Sequence, residues 1–315
     1  ISLLLGRYII DPITVGKVIL AKVFPLEQDW PGAVNRVIFQ IRLPRIVLGA
    51  LIGAGLAVSG ASFQGMFKNP LVSPEILGVT AGAGFGACLG ILLSGSSLAI
   101  QALSWVFAVL AVGLAYAISR VGRTTPTLVL VLSGIVTGAI FSALISLTKY
   151  VADPNQQLPA IVFWLMGSLA TASQRDVLMA APPMLLGMAG LMLVRWRINL
   201  LALGDDQASS MGMNTELMKG VVIICATIVC AAAVSVAGII GWVGLVVPHV
   251  GRMLVGPDHR KLLPISALIG AGYLVIIDLV ARAATPAEIP LGILTSIIGA
   301  PFFAVLLRRT RGAWS

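Results

Sequence analysis

Charge is scarce in this sequence. Asp, Glu, Lys and Arg together make up 10% of the 315 residues and aromatic side chains 6%, with two histidines and three cysteines. A soluble domain carries charge at about 25% of its positions, so this chain is not built to meet water on every side. Cys88, Cys225 and Cys230 all lie in apolar runs and are odd in number, which argues against a disulfide framework or a thiolate metal cluster. His249 and His259 stand on different elements with no Cys or acid at ligand spacing, a poor metal site. Scattered carboxylates and two distant histidines do not supply the clustered acids, bases or nucleophiles of an enzyme. Nearly every charged residue falls at the end of an apolar run, which weighs against a gradient-driven carrier with ionisable groups buried in mid-span. A GxxxxGK[ST] phosphate loop is also missing.

What is there is apolar length. Hydrophobic residues make up 58% of the chain and the mean hydropathy is +1.01, the profile of an integral membrane protein. Apolar runs of about 18 to 25 residues recur without strand-like alternation, so helices make the crossings; a helix satisfies its own backbone groups in lipid. The runs predict spans near 44–66, 76–94, 98–118, 127–148, 177–195, 220–238, 242–255, 263–281 and 291–307. The opening ISLLLGRYII is too short to cross, so the chain is expected to begin inside or just after an earlier span. Lys149 to Asp176 is too long for a turn, and its AIVFWLMGSL core is too short to cross. That predicts a half-buried outer helix with Trp164 at the interface. No stretch outside the membrane is long enough for a second domain, so 1–315 reads as one transmembrane domain.

The net charge of +9 raises nucleic acid as a partner, but its placement argues for topology instead. Lys68, Arg120, Arg123, Arg195, Arg197, Lys219, Arg252, Arg260, Lys261, Arg308, Arg309 and Arg311 all fall on one side of the predicted spans, more than half of the 21 basic residues. The positive-inside rule makes that side cytoplasmic. It also holds the one long polar island, Asn199 to Lys219, NLLALGDDQASSMGMNTELMK. Its polar residues face Leu203, Ala208, Met211 and Met213 at roughly helical spacing, so it reads as short amphipathic helices broken at Gly204 and Gly212. Such helices either lie on the membrane surface or take a push from a soluble motor.

On the other side, Pro44 is expected to stop any upstream helix, leaving Arg42 and Arg45 at the mouth of the next span. Two arginines at a helix start oppose its dipole, so they suit either lipid headgroups or an acidic partner. Asp278 and Arg282 have the four-residue spacing of an ion pair. Gly49 with Gly53, the series Gly82, Gly86 and Gly90, and Gly134 with Gly138 predict close helix packing. Glu75 is placed favourably at a helix start.

Several segments, in order, carry a family likeness: RLPR, the glycine-rich span after it, SGASFQGMFKNPL, ILGVTAGAG, LALGDDQASSMGM, GIIGWVGLVVPHVGRMLVGPDHRKLLP and AEIPLGILTSIIGAPFFAVLL. Together they resemble the permease subunits of type II ABC importers, the family that takes up iron chelates, haem and cobalamin. The likeness runs from about Leu5 to Leu307. It implies an all-α polytopic membrane protein with the ten-span type II permease fold, the first span mostly missing here. It also implies a multi-pass protein of a prokaryotic inner (plasma) membrane, set in membrane lipid.

By the same resemblance the permease pairs with a second copy of itself and works with two cytoplasmic ATP-binding cassette subunits, while a periplasmic substrate-binding protein docks outside. ATP and Mg belong to the partner ATPase; this chain binds no cofactor and is not itself the enzyme. The island, about 199–219, matches the family's coupling helices, with Asp205, Asp206, Gln207 and Met211 as contacts. Arg42, Arg45 and Arg282 match positions that meet acids on the binding protein, and Asn69, Leu71 and Thr127 match the cytoplasmic gate. Selectivity in this family lies largely in the binding protein. The cargo expected is a ferric siderophore or haem, with cobalamin or an oxyanion such as molybdate or tungstate as the alternative.

Overall fold

The protein is described here from a computed structural model, over residues 2–4, 10–22, 24, 28–120, 122, 124–285 and 287–309. Arg123 and Arg311, placed on the cytoplasmic side by sequence, lie outside the described residues. Helix dominates throughout, and six helices are long and apolar enough to cross a membrane, with three shorter apolar ones.

The chain enters through α1 (Pro12–Leu20), whose first N–H groups are capped by the Asp11 carboxylate. At nine residues α1 cannot cross; it packs Val15 and Val18 against Trp30, Val34 and Ile38 in a small satellite core. Helix α2 (Gly32–Arg36) passes through one π-helical turn, Val37–Arg42, directly into α3 (Leu43–Met66). Pro44 therefore does not end the upstream helix as expected. The widened turn just before it accommodates a residue that has no N–H to give, and the result is a 35-residue rod from Gly32 to Met66.

Helix α4 (Val79–Leu93) pairs with α5 (Ser97–Ser119), and α6 (Thr127–Val151) closes against them. A Cβ at Gly82 or Gly86 would overlap the carbonyl oxygens of Phe107 or Leu103, which is why that glycine series allows α4 to lie so near α5. The expected outer helix is α7 (Gln157–Leu165), held down by the buried Ile161. Next come α8 (Gln174–Leu201), which opens with a reciprocal Ser173–Asp176 capping box, the short α9 (Asp205–Ser210) and α10 (Thr215–Ala237). The last three are α11 (Val243–Val255), α12 (His259–Ala284) and α13 (Leu291–Arg309).

Helices α3 and α10 form the centre. Their most apolar stretches are 72% and 67% buried, against 28% to 33% for the other long helices. Small residues make this possible: α12 crosses α3 at Gly53 on Gly270, and α11 crosses at Gly60 on Gly244, contacts where a Cβ would meet backbone. Gly49, expected to share this role, meets only side chains and the Val275 Cα at ordinary van der Waals distance.

Two of the expected spans are incomplete. At 15 and 13 residues, α4 and α11 fall short of the ~20 that a crossing needs, and each begins within the bundle, after Gly78 (φ 78°) and Trp242 (φ 70°). Their starts converge on a recess also lined by Leu56, Ser73, Glu75 and Cys230. Leu56 is ~15 Å along α3 from Met66, so the recess lies near mid-depth.

Candidate functional site

The polar island folds into one short helix rather than a pair. Its flanks belong to long neighbours: Asn199–Leu201 ends α8, and Asn214 caps α10 by accepting from the Leu217 N–H at 3.0 Å. Gly204 (φ 124°) and Gly212 (φ 82°) turn the chain at either end of α9, conformations open to glycine. Ala208 is fully buried and anchors the helix, while Asp206, Gln207, Ser209 and Ser210 face out. Leu203 and Met211 are 52% and 62% exposed. Helix α9 with its flanks therefore presents exposed apolar side chains beside exposed polar ones.

Asp205 departs from the expected outward contact. Its carboxylate turns inward and accepts from the Lys219 ammonium at 2.6 Å. Lys219 is 2% exposed and also donates to the Thr125 carbonyl at 3.1 Å, with Glu216 at 3.7 Å. The Thr125 hydroxyl in turn donates to Glu216. One buried cation thus touches α9, α10 and the segment that leads into α6.

That segment holds one of the expected gate positions, Thr127, the first residue of α6. The other two lie after α3, where the Asn69 side chain accepts from the Leu71 N–H at 2.9 Å and leaves Leu71 46% exposed. The same turn carries Lys68, at φ 51°, with its ammonium against Gly204. Both segments therefore abut the start of α9, at Gly204 and, through Lys219, at Asp205. Nearby, His259 donates its backbone N–H to the side-chain oxygen of Asn199 at 2.9 Å, and the Asn199 side-chain amide donates to Asp258 at 2.6 Å, tying the end of α8 to the start of α12. The Asp258 carboxyl is held below the usual carboxylate range, first by the Arg260 N–H and then by Asn199. His259, which the sequence offers only as a poor metal ligand, is a tether between these two helices.

On the outer side, Arg42, Arg45 and Arg282 do come together, but they turn inward. They are 3%, 5% and 7% exposed. Arg45 donates to both oxygens of Asp278 at 2.7 and 2.9 Å and pairs with Glu288 at 2.9 Å. Arg282 reaches the same Asp278 at 3.9 Å and Ser2, and Arg42 donates to the Leu3 carbonyl. Because the helix runs unbroken from Gly32 to Met66, Arg42 and Arg45 lie within a rod and not at its end, so their charges are satisfied by this chain's own groups. The four-residue pair Asp278–Arg282 exists, yet the nearer partner of Asp278 is Arg45, 233 positions away in sequence. Spacing along one helix could not reveal that.

Glu75 stands at a helix start, as its sequence position predicts. It lies in the turn Pro74–Leu77 before α4, is exposed on the single chain, and has no ion-pair partner among the described residues. Non-helical backbone at membrane depth persists only where protein or a water-filled cavity covers it, and a bare carboxylate facing lipid would be costly. The signal that could have found this recess is the shortness of the run 242–255 and the glycine, Gly78, near the start of the run 76–94.

A bundle of crossing helices with two half-depth breaks and a polar helix on the basic side is the architecture of a polytopic membrane protein. Comparison with known proteins makes the family plain. Residues 1–309 match the FecCD transport family, and the chain belongs to it. It is 42% identical over 311 residues to the molybdate import system permease MolB of Haemophilus influenzae, covering 99% of this chain and 92% of that protein. A Helicobacter pylori permease named for iron chelatin transport is 46% identical over 287 residues, covering 91% of this chain and 87% of that one. A solved inward-facing ABC transporter described as of the metal-chelate type is 40% identical, with TM-score 0.87, covering 98% of this chain and 94% of its own. The chain is a multi-pass inner-membrane permease of the ABC type.

Proposed function

We propose that this chain forms the membrane path of an ATP-driven importer, pairing with a second copy, with two cytoplasmic ATPase subunits seated on α9 and a binding protein delivering cargo outside. The observation that carries the reading is α9 itself, an exposed Asp206–Gln207–Met211 surface anchored by Ala208 and joined through Asp205 and Lys219 to the gate segment before α6. ATP and Mg act on the partner subunits. The outer arginines hold the shape of the surface that the binding protein meets, through Asp278 and Glu288, and the gate is formed by Asn69, Leu71 and Thr127.

The cargo we favour is a metal chelate, a ferric siderophore or haem, in line with the Helicobacter pylori relative and the metal-chelate type transporter. The Haemophilus influenzae relative supports a second reading, an oxyanion such as molybdate. The test is uptake into proteoliposomes holding the permease with its ATPase and binding protein, offered ferric siderophores, haem, cobalamin and molybdate in parallel. ATP-dependent uptake of a chelate supports the first reading, and uptake of molybdate alone replaces the cargo while keeping the machine. Uptake by the permease without ATPase or ATP would overturn the importer reading.

A further inference from the structure

Lys219 has more contacts than packing requires. An ammonium that is 98% removed from solvent needs its protons satisfied, and an apolar residue at the fifth position of α10 would avoid that demand altogether. Here the three partners come from three places in the chain. Asp205 is the first residue of α9, Thr125 lies two residues before α6, and Glu216 shares α10 with Lys219. The Asp205 and Thr125 contacts measure 2.6 and 3.1 Å, both direct hydrogen bonds, and Glu216 closes the ring by accepting from the Thr125 hydroxyl. Asp205 is the one acidic residue of α9 that turns inward, its side chain 42% exposed against 2% for Lys219.

We propose that Lys219 is the positioning residue that transmits movement of α9 to the gate segment at Thr125–Thr127, so that a shift of the coupling helix moves the start of α6 with it. This rests on the reading of α9 as the ATPase contact. The physical argument is directional. A buried cation cannot let go of one anion without meeting another partner, because an unpaired charge at this depth is unfavourable. When α9 is displaced, Lys219 stays with Asp205, and the Thr125 carbonyl, hydrogen-bonded to the same ammonium, is drawn along. An apolar residue here would let α9 and the loop slide independently. Thr125 is itself 1% exposed, so the loop has no water to replace that donor.

The test uses the complete transporter with nitroxide labels at Ser209 on α9 and Leu128 on α6, both exposed, in a chain with Cys88, Cys225 and Cys230 replaced by alanine. Distances are measured without nucleotide and with ATP trapped, alongside molybdate and ferric-siderophore uptake per ATP hydrolysed. With one labelled copy paired with an unlabelled one, the parent should give one narrow distance in each state. Lys219→Met should broaden the distribution and lower transport per ATP by ~5- to 150-fold, the usual range of a coupling free energy, while Lys219→Arg restores much of both. A merely structural lysine would lower the amount of folded protein and leave transport per ATP unchanged in what remains. If Lys219→Met does not fold, Asp205→Asn decides, since it keeps the shape and removes the charge. Narrow distances and normal coupling in the variant that folds would overturn the proposal. The reading of α9 fails separately, if Asp206→Lys with Met211→Glu still transports normally.

Discussion

Removing the Arg45 guanidinium leaves the Asp278 carboxylate buried without its nearest counter-charge. Their side chains are 6% and 2% exposed, so solvent cannot compensate as it does for a surface pair, which contributes little. Breaking a buried pair from one side costs about 3–5 kcal/mol, so Arg45→Ala should lower the unfolding temperature in detergent far more than loss of the exposed Lys17–Asp29 pair. Equal, small shifts would mean that water reaches the Arg45 cluster. Asp258 gives a residue-scale pH effect. Its folded pKa lies below 3.8, so its stabilising contribution is present above that value and is lost as pH falls through the lower folded pKa. Asp258→Ala should therefore unfold more readily than the parent at pH ~7, with the gap closing in acid below the ordinary carboxylate range. A gap that persists when Asp258 is protonated would assign the effect to packing instead.

Helix α9 is six residues long, too short to persist on its own, so its position is set by Ala208 and by the glycines at its ends. Asp206→Lys with Met211→Glu changes only exposed side chains, and it should release the ATPase subunits from the purified complex while the permease keeps its unfolding temperature. Retention of the ATPase at normal stoichiometry would place the docking surface elsewhere. The half-depth starts of α4 and α11 lead to a different expectation. Glu75→Cys, in a chain without the native cysteines, should react with a membrane-impermeant thiol reagent in the assembled transporter, because a bare carboxylate at that depth needs water. Protection equal to that of Cys88 in a chain that keeps only this buried native cysteine would show that the second copy seals the recess.

At the scale of the molecule, burial is uneven by design of the sequence: α3, rich in Gly, Ala and Ser, and α10, rich in Ala and Val, sit inside, while the ring helices leave large aliphatic side chains such as Leu128, Leu186 and Leu268 about 70% exposed. Lipid accepts those faces, and the polar recess at Glu75 calls for cover of another kind. Light scattering in detergent should therefore return a protein mass of twice the 32.8 kDa chain. A monomer that still supports ATP-driven uptake would remove the two-copy path.

The sequence alone determined the membrane as solvent, the helical class and the place of the polar island, because composition and apolar run length are properties of the chain in order. It also carried the family, through seven motifs spread over nearly its whole length. Only the tertiary structure decided what the charges do. Arg45 meets Asp278 across 233 positions and Lys219 meets Thr125 across 94, and no local spacing encodes either contact. Pro44 read as a break and became part of a continuous rod, since the neighbouring turn could widen to admit it. Asp205 and Asp206 are identical in type and adjacent, yet one turns in to a buried cation and the other faces out. That difference depends on where α10 lies against α9, and packing in three dimensions sets it.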